Sequence, residues 1–352
     1  MEQIAPALIR NLSLILGSAL STFMISIIAA PYFIKLLKHF QFGQQIRTKA
    51  VDGKDASLFQ ELHKKKAGTP SMGGVLIWGT VLLVAVLSTI FVQFGLTNNA
   101  LISRAETYLP LFTLGSFALL GLVDDIFNIK GIGAHKGLKA FTKMSWLILL
   151  SLLGGLWFYF KLGHSSLDLG IFGNLEIGIW YIPLFMLVII SSANAVNITD
   201  GLDGLAGGLI IIAFTALSIV AYTQNLFILA ALCATIVGAT LGFLWFNVPP
   251  AAFFMGDTGS LALGATIGVI ALLLGNIIFL VFITSIFIIE TLSVIIQLLS
   301  KKFRGKKVFK IAPIHHHFEY IGWPEFRVTM RFWIIGALFA ALGIILYLAG
   351  II

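Results

Sequence analysis

The chain has 352 residues, of which 59% are hydrophobic and only 11% charged, and its mean hydropathy is +1.00. A soluble globular protein carries about 25% charged residues, so a water-soluble domain is excluded and a multi-span membrane protein is expected. A single cysteine, Cys233, excludes a disulfide framework and a cysteine zinc site, and in so apolar a chain the net charge of +8 points to anionic lipid headgroups rather than nucleic acid.

Apolar runs predict ten transmembrane helices, over 18–37, 73–95, 108–124, 142–160, 178–196, 204–223, 226–246, 259–275, 277–300 and 331–351. The fold class is therefore all-α and polytopic, with no separate soluble domain and no internal repeat. Only Gly275-Asn276 divides the eighth run from the ninth, so a count of nine is the alternative. Residues 1–17 lack the basic stretch and small-residue cleavage site of a secretion signal.

Basic residues then set orientation. The stretches after the first, third and ninth runs carry 20 of the 23 Lys and Arg, leaving Arg10, Arg104 and Lys161 for the other side. With ten spans these stretches share one face, predicted to be cytoplasmic, and both termini lie on the periplasmic face.

In chain order, the first polar stretch is His63-Lys-Lys-Lys-Ala-Gly-Thr-Pro-Ser-Met-Gly-Gly74. Lys64 and Lys65 read as lipid-facing anchors, whereas the Gly/Pro turn places Lys66 and Thr69 where a phosphate is held. Asp124-Asp125 closes the third run. Two adjacent carboxylates at the negative end of a helix repel each other and need a cation, and oxygen ligands alone point to Mg²⁺ or Mn²⁺.

Between the fifth and sixth runs lies Asn194-Ala-Val-Asn-Ile-Thr-Asp-Gly-Leu-Asp-Gly-Leu-Ala206, with four amide or carboxylate side chains in ten positions. Asp200 and Asp203 read either as helix caps or as site groups, and the Asn194 and Asn197 amides suit a base or sugar edge. Phe253-Phe-Met-Gly-Asp-Thr-Gly-Ser260 puts Asp257 at the start of the eighth run, as an ordinary N-cap or as a metal carboxylate beside a phosphate-binding helix end. All five aspartates fall on the basic face.

Glu290 lies deep in the ninth run, and helix–helix glue weighs as much there as function, so Glu290→Gln is expected to act mainly on stability. The last loop carries Ala312-Pro-Ile-His-His-His-Phe-Glu319. Three successive histidines cannot face one way, so His315, His316 and His317 read as donors to phosphate or sugar oxygens rather than as a metal triad.

Taken together, the 194–206 motif, Asp124-Asp125, Phe254-Met-Gly-Asp-Thr-Gly-Ser260 and Pro313-Ile-His-His-His-Phe-Glu319 resemble the polyprenyl-phosphate N-acetylhexosamine-1-phosphate transferases over essentially the whole chain. The triple histidine and the 66–74 stretch are similar to the muramoyl-pentapeptide branch; Ser71 stands where many members have Thr. The resemblance implies a bacterial inner-membrane enzyme that moves phospho-MurNAc-pentapeptide from UDP-MurNAc-pentapeptide to undecaprenyl phosphate, releasing UMP and making lipid I with Mg²⁺.

Carried over, Asp257 resembles the Mg²⁺ ligand, and Asp124 the group that orients or deprotonates the lipid phosphate, supported by Asp125. Asn197, Gly201, Leu202, Asp203 and Phe254 match positions around the uridine. Asp200, Lys66, Thr69 and the histidines match positions around the diphosphate and amino sugar. The resemblance implies one transferase domain over 1–352, its site built from loops 38–72, 124–141, 194–204, 247–258 and 301–330. The expected partners are the two substrates and the bilayer, not nucleic acid, with a homodimer left open. The alternatives are a sibling enzyme using UDP-GlcNAc and, from another class, a transporter, which would show repeats and midplane charges.

Overall fold

The computed structural model describes residues 4–43, 66, 68–95, 97, 99–103, 106–131 and 137–352. Lys64, Lys65 and Arg104 lie outside the described residues. Among those described, twelve α-helices and one short hairpin are present: α1 (Ile4–His39), α2 (Gly74–Gln93), α3 (Tyr108–Ile129), α4 (Ala140–Leu162), β1 (Ser166–Asp168), β2 (Asn174–Glu176), α5 (Tyr181–Thr199), α6 (Leu205–Thr223), α7 (Phe227–Asn247), α8 (Asp257–Leu273), α9 (Ile277–Ile283), α10 (Ser285–Arg304), α11 (Ile314–Tyr320) and α12 (Glu325–Leu348). The protein is an all-α, multi-pass membrane protein, with eight helices among the described residues long and apolar enough to cross a bilayer.

Two of the ten predicted spans differ from that pattern. α8 has 17 residues, about 26 Å at 1.5 Å each, short of a ~30 Å hydrocarbon core. It needs no such length, because the protein surrounds it: the run from Thr258 to Leu272 is buried throughout. A helix apolar on every side belongs in a core. The predicted span over 277–300 is not one helix. It breaks at Thr284 into α9 and α10, bent by 80°, and the Thr284 hydroxyl donates to the Leu280 carbonyl at 2.6 Å. No Gly or Pro marks the break, so nothing in the sequence announced it. The eighth and ninth runs do separate: Gly275 takes a left-handed φ of +79°, and Asn276 accepts the Phe279 N–H at 2.7 Å as the cap of α9.

α7 stands with α8 at the centre, 72% of its most apolar window buried, whereas α1 and α12 bury 22% and present the rest outward. Polar bonds tie the helices at both ends. On the side away from the acidic residues, Glu106 accepts the Leu229 N–H at 3.0 Å at the start of α7. The Gln224 amide there reaches Leu274 O and the Tyr347 hydroxyl, both at 2.9 Å. The β1–β2 hairpin lies on that side, where Ile171 N–H donates to Ile351 O at 3.1 Å and fixes the end of the chain. The ends of α3 and α5 and the starts of α4, α6, α8 and α12 meet on the opposite side.

Candidate active site

The Asp124–Asp125 pair does not end its helix. α3 runs on to Ile129, so both residues keep helical geometry and their side chains diverge by about 100°. That divergence gives them different work. Asp125, 6% exposed, turns to α8, where Oδ1 accepts the Asp257 N–H at 3.1 Å and Oδ2 the Thr258 N–H at 3.0 Å. Its charge satisfies the free amides at the positive end of that helix. Gly121 makes the approach feasible, since a Cβ there would fall 2.3 Å from the Asp257 carbonyl oxygen. The helix end that the sequence offered to a phosphate is thus taken by Asp125.

Asp124 faces α4. Oδ1 accepts the Leu138 N–H at 2.7 Å, and Oδ2 lies 3.0 Å from the Lys143 ammonium. The same Nζ lies 2.5 Å from Asp257 Oδ2, and Asp257 Oδ1 accepts from the Asn197 amide at 2.7 Å. Asn197 also donates to the Ser260 hydroxyl at 2.8 Å. Asp257 is therefore no N-cap: its carboxylate points away from its own helix, into a pocket shared by α3, α4 and α5. Lys143, counted in the sequence only as one of many interfacial lysines, is the counter-ion of the cluster.

Asp200 follows α5. Burial pushes its carboxyl up, the Asp257 charge adds to this, and a bond from the Gly256 backbone opposes it, leaving a pKa of about 7. Neither Asp200 nor Asp203 caps α6, whose N-cap is Gly204 without a side-chain bond. Asp203 accepts the Ala251 N–H at 3.0 Å and the Lys66 ammonium at 2.7 Å. Lys66 also meets Glu325, and its ammonium lies 5.8 Å from the Phe254 ring centre. Burial pulls the Lys66 pKa down, but the Glu325 and Asp203 carboxylates outweigh it and hold it above the usual lysine value. Thr69 is half-buried nearby in the chain, its N–H on the Lys66 carbonyl at 3.2 Å. Leu202 is buried, and Asn194 spends its amide on Ile190 O of its own helix at 2.8 Å.

The histidines on α11 diverge. His315 Nδ1 lies 2.9 Å from a Glu290 carboxylate oxygen and His316 Nδ1 2.7 Å from Glu319, while His317 Nδ1 accepts the Lys310 N–H at 3.3 Å on the far side. The first two turn their Nε2 atoms to Gly201. A Cβ on Gly201 would stand 2.4 Å from His315 Nε2 and 3.4 Å from His316 Nε2. Two carboxylate-held imidazoles thus converge over the turn that carries Asp200. Sequence reading missed Lys143 and Glu325. The usable signal for Lys143 was its place in the first turn of α4 on the acidic side, and Glu325 offered none.

No group of three or more His, Cys, Asp or Glu among the described residues forms a metal cage. The donor set still fits Mg²⁺, which binds through one or two carboxylates plus waters and substrate phosphates rather than an all-protein shell. Asp124 and Asp257 already share one cation, the Lys143 ammonium, through oxygen atoms alone.

Comparison with known proteins gives the family. Residues 108–275 match the family described as Glycosyl transferase family 4, and residues 66–77 match Phospho-N-acetylmuramoyl-pentapeptide-transferase signature 1. A phospho-N-acetylmuramoyl-pentapeptide-transferase of Anoxybacillus flavithermus is 41% identical over 95% of this chain and 98% of its own. Proteins of the same name from a Geobacillus species and from Halalkalibacterium halodurans are each 42% identical over 92% of this chain, and over 94% and 95% of their own. At that identity over nearly the full length, the chain belongs to the phospho-N-acetylmuramoyl-pentapeptide-transferase family.

Proposed function

We propose that this pocket transfers phospho-MurNAc-pentapeptide from UDP-MurNAc-pentapeptide to undecaprenyl phosphate, forming lipid I and UMP, in the bacterial inner membrane with the site on the cytoplasmic face. The observation that carries it is the Asp124–Lys143–Asp257 cluster, a charged pocket at the end of a membrane bundle. An apolar groove starts one turn away. Its cavity, about 300 Å³, is lined by Leu187, Val188 and Ala195 of α5, by Leu280 of α9 and by Phe287 and Leu292 of α10. Leu187 to Ala195 covers about 12 Å of helix, room for the first isoprene units of a lipid whose phosphate reaches the charged cluster.

In the reaction, an oxygen of the lipid phosphate attacks the phosphorus next to the sugar. The bond from that phosphorus to the bridging oxygen breaks, and UMP leaves with that oxygen. Such chemistry depends on in-line positioning and charge neutralisation. Mg²⁺, held by Asp257 together with the diphosphate, would supply that neutralisation. Lys143 balances Asp124 and Asp257, and Asp124 aligns the lipid phosphate and takes its proton where it carries one. Asp125 holds α8 in place beneath them. His315 and His316 donate to oxygens above Gly201, and Asp203 with Phe254 frames the uracil.

The test is release of UMP by detergent-purified protein. UMP is expected only with the muramoyl nucleotide, Mg²⁺ and undecaprenyl phosphate together. Release from UDP-GlcNAc at an equal rate would favour the sibling reading, and release without the lipid would overturn the transfer.

A further inference from the structure

Glu325 opens α12, far along the chain from Lys66 and Asp203, yet it joins their two segments to its own. One carboxylate oxygen, Oε1, accepts from the Lys66 ammonium and, at 2.6 Å, from the Asp203 backbone N–H. Asp203 closes the triangle, with Oδ1 on Lys66 at 2.7 Å and Oδ2 on the Ala251 N–H at 3.0 Å. The Thr329 hydroxyl, one turn into α12, donates to Asp203 O at 3.3 Å. The strip that follows Lys66 is bonded in turn to the 253–256 stretch: Phe254 N–H donates to Pro70 O at 2.8 Å and Gly73 N–H to Phe254 O at 2.7 Å.

An acid in the first turn of a helix is ordinarily explained by the macrodipole. Glu325 does something else, because among the described residues its bonds go to Lys66 and Asp203 and not to the free amides of α12. It is also only 21% exposed, beside a 5% exposed Asp203. A charged oxygen shared by an ammonium and a main-chain N–H fixes both in direction.

We infer that Glu325 is a positioning residue for nucleotide recognition, setting the Lys66 ammonium and the Asp203 turn in the arrangement that receives the uridine end of the donor. This rests on the proposed function, with Asp203 and Phe254 at the uracil and Lys66 at the diphosphate. Lys66 arrives ordered and charged, and the Phe254 ring beside it is left half-buried as a stacking face. The chemical class served is a pyrimidine nucleoside diphosphate, not the lipid phosphate.

The experiment compares Glu325→Gln and Glu325→Ala in the full-length purified enzyme. Gln keeps an acceptor for Asp203 N–H and removes the negative charge that faces Lys66; Ala removes both. Glu325→Gln is expected to raise KM for the muramoyl nucleotide about tenfold, as for loss of a charged hydrogen bond. KM for undecaprenyl phosphate and kcat should stay within about twofold, the pattern of lost uniform binding. Glu325→Ala should raise it further. In a Lys66→Gln background, Glu325→Gln should add less than about twofold, since its partner is gone.

Calorimetric titration of UDP follows the same ranking without turnover, so failure of the transferase reading would show as wild-type protein that binds UDP yet releases no UMP. Melting temperatures separate folding loss from weakened binding, and Glu325→Asp, which keeps the charge, should recover part of the affinity. An unchanged or lower nucleotide KM in Glu325→Gln, a fall in kcat alone, or an equal effect with and without Lys66 would overturn the inference.

Discussion

Glu290 and His315 form a fully buried pair, one carboxylate oxygen 2.9 Å from the ring Nδ1, joining the membrane part of α10 to α11. The remaining atoms, Glu290 Oε1 and His315 Nε2, have no hydrogen-bond partner among the described residues. A buried orphan acceptor or donor costs about 1–3 kcal/mol. This one pair carries two such atoms, with Nε2 turned to Gly201.

That geometry adds a second expectation for Glu290 beside the one of a role in stability. Glu290→Gln removes the carboxylate that fixes the His315 ring, and an amide can offer Nδ1 either a donor or an acceptor. We expect kcat to fall about 10–100-fold, as when a histidine loses its supporting carboxylate elsewhere, with the melting temperature nearly kept. UMP release and thermal unfolding on one preparation decide it. A large drop in melting temperature with near-normal turnover would return Glu290 to a structural role.

The shared ammonium of Lys143 leads to a second expectation. Asp257→Ala should abolish turnover in a folded protein, and excess Mg²⁺ should not restore it. Lys143→Met leaves Asp124 and Asp257 facing each other without a counter-ion. Its turnover should fall about 100-fold while needing a different Mg²⁺ concentration for half-maximal rate, because two charges now compete for the ion. UMP release across a Mg²⁺ titration checks both; an unaltered profile in either variant removes that residue from the charge balance.

Asp124 and Asp125 are adjacent but should respond oppositely. Asp124→Asn keeps shape and removes charge in the pocket, so kcat should fall about 10²–10⁴-fold, the range of a positioned acid or base, with normal stability. Asp125→Asn loses the charge at two α8 amides, so it should unfold at lower temperature, by about 1–2 kcal/mol for a lost helix-end partner. Assay and melting curves run side by side would sink this division if Asp125→Asn proved inactive yet fully stable.

Gly201 offers the narrowest test of the histidines. Gly201→Ala would put a methyl 2.4 Å from His315 Nε2 in the turn between α5 and α6, against a ring held from behind by Glu290. Loss of turnover by about tenfold or more is expected, with UDP binding less affected than kcat. Full activity in this variant would mean that the two Nε2 atoms do not act over the turn.

Much of this was readable in the chain. Periodic apolar runs and one-sided Lys and Arg gave ten segments and their alternation, because each span must satisfy its own backbone and carries its hydropathy locally. The polar motifs at their ends hold most of the side chains that the fold brings together there. What stayed hidden depends on partners distant in sequence: the Thr284 break with no breaker residue, the assignment of Asp125 to the α8 amides, and the capture of Lys66 by Glu325. Lys143 was hidden for another reason, since one lysine among many at an interface carries no mark of its own until Asp124 and Asp257 are seen around it.

Asp200 provides the pH test. Burial, then the Asp257 charge, raises its folded pKa from the ordinary carboxylate value to about 7. A raised acid binds its proton more tightly in the folded chain than in the unfolded one. Its contribution to stability is therefore full below about pH 4 and is lost as pH rises through about 7. Lys66, Asp203 and Asp257 face the same turn, so the total pH profile is not its own. The difference between wild type and Asp200→Asn isolates it, because Asn carries the neutral form at every pH. Relative to the variant, the wild type should lose melting temperature between about pH 4.5 and 7 and level off above about pH 8, measured without substrate or divalent cation. A difference that stays constant over that range would show that Asp200 is already ionised at its lower end, and would remove the turn that carries it from any account of how stability responds to pH.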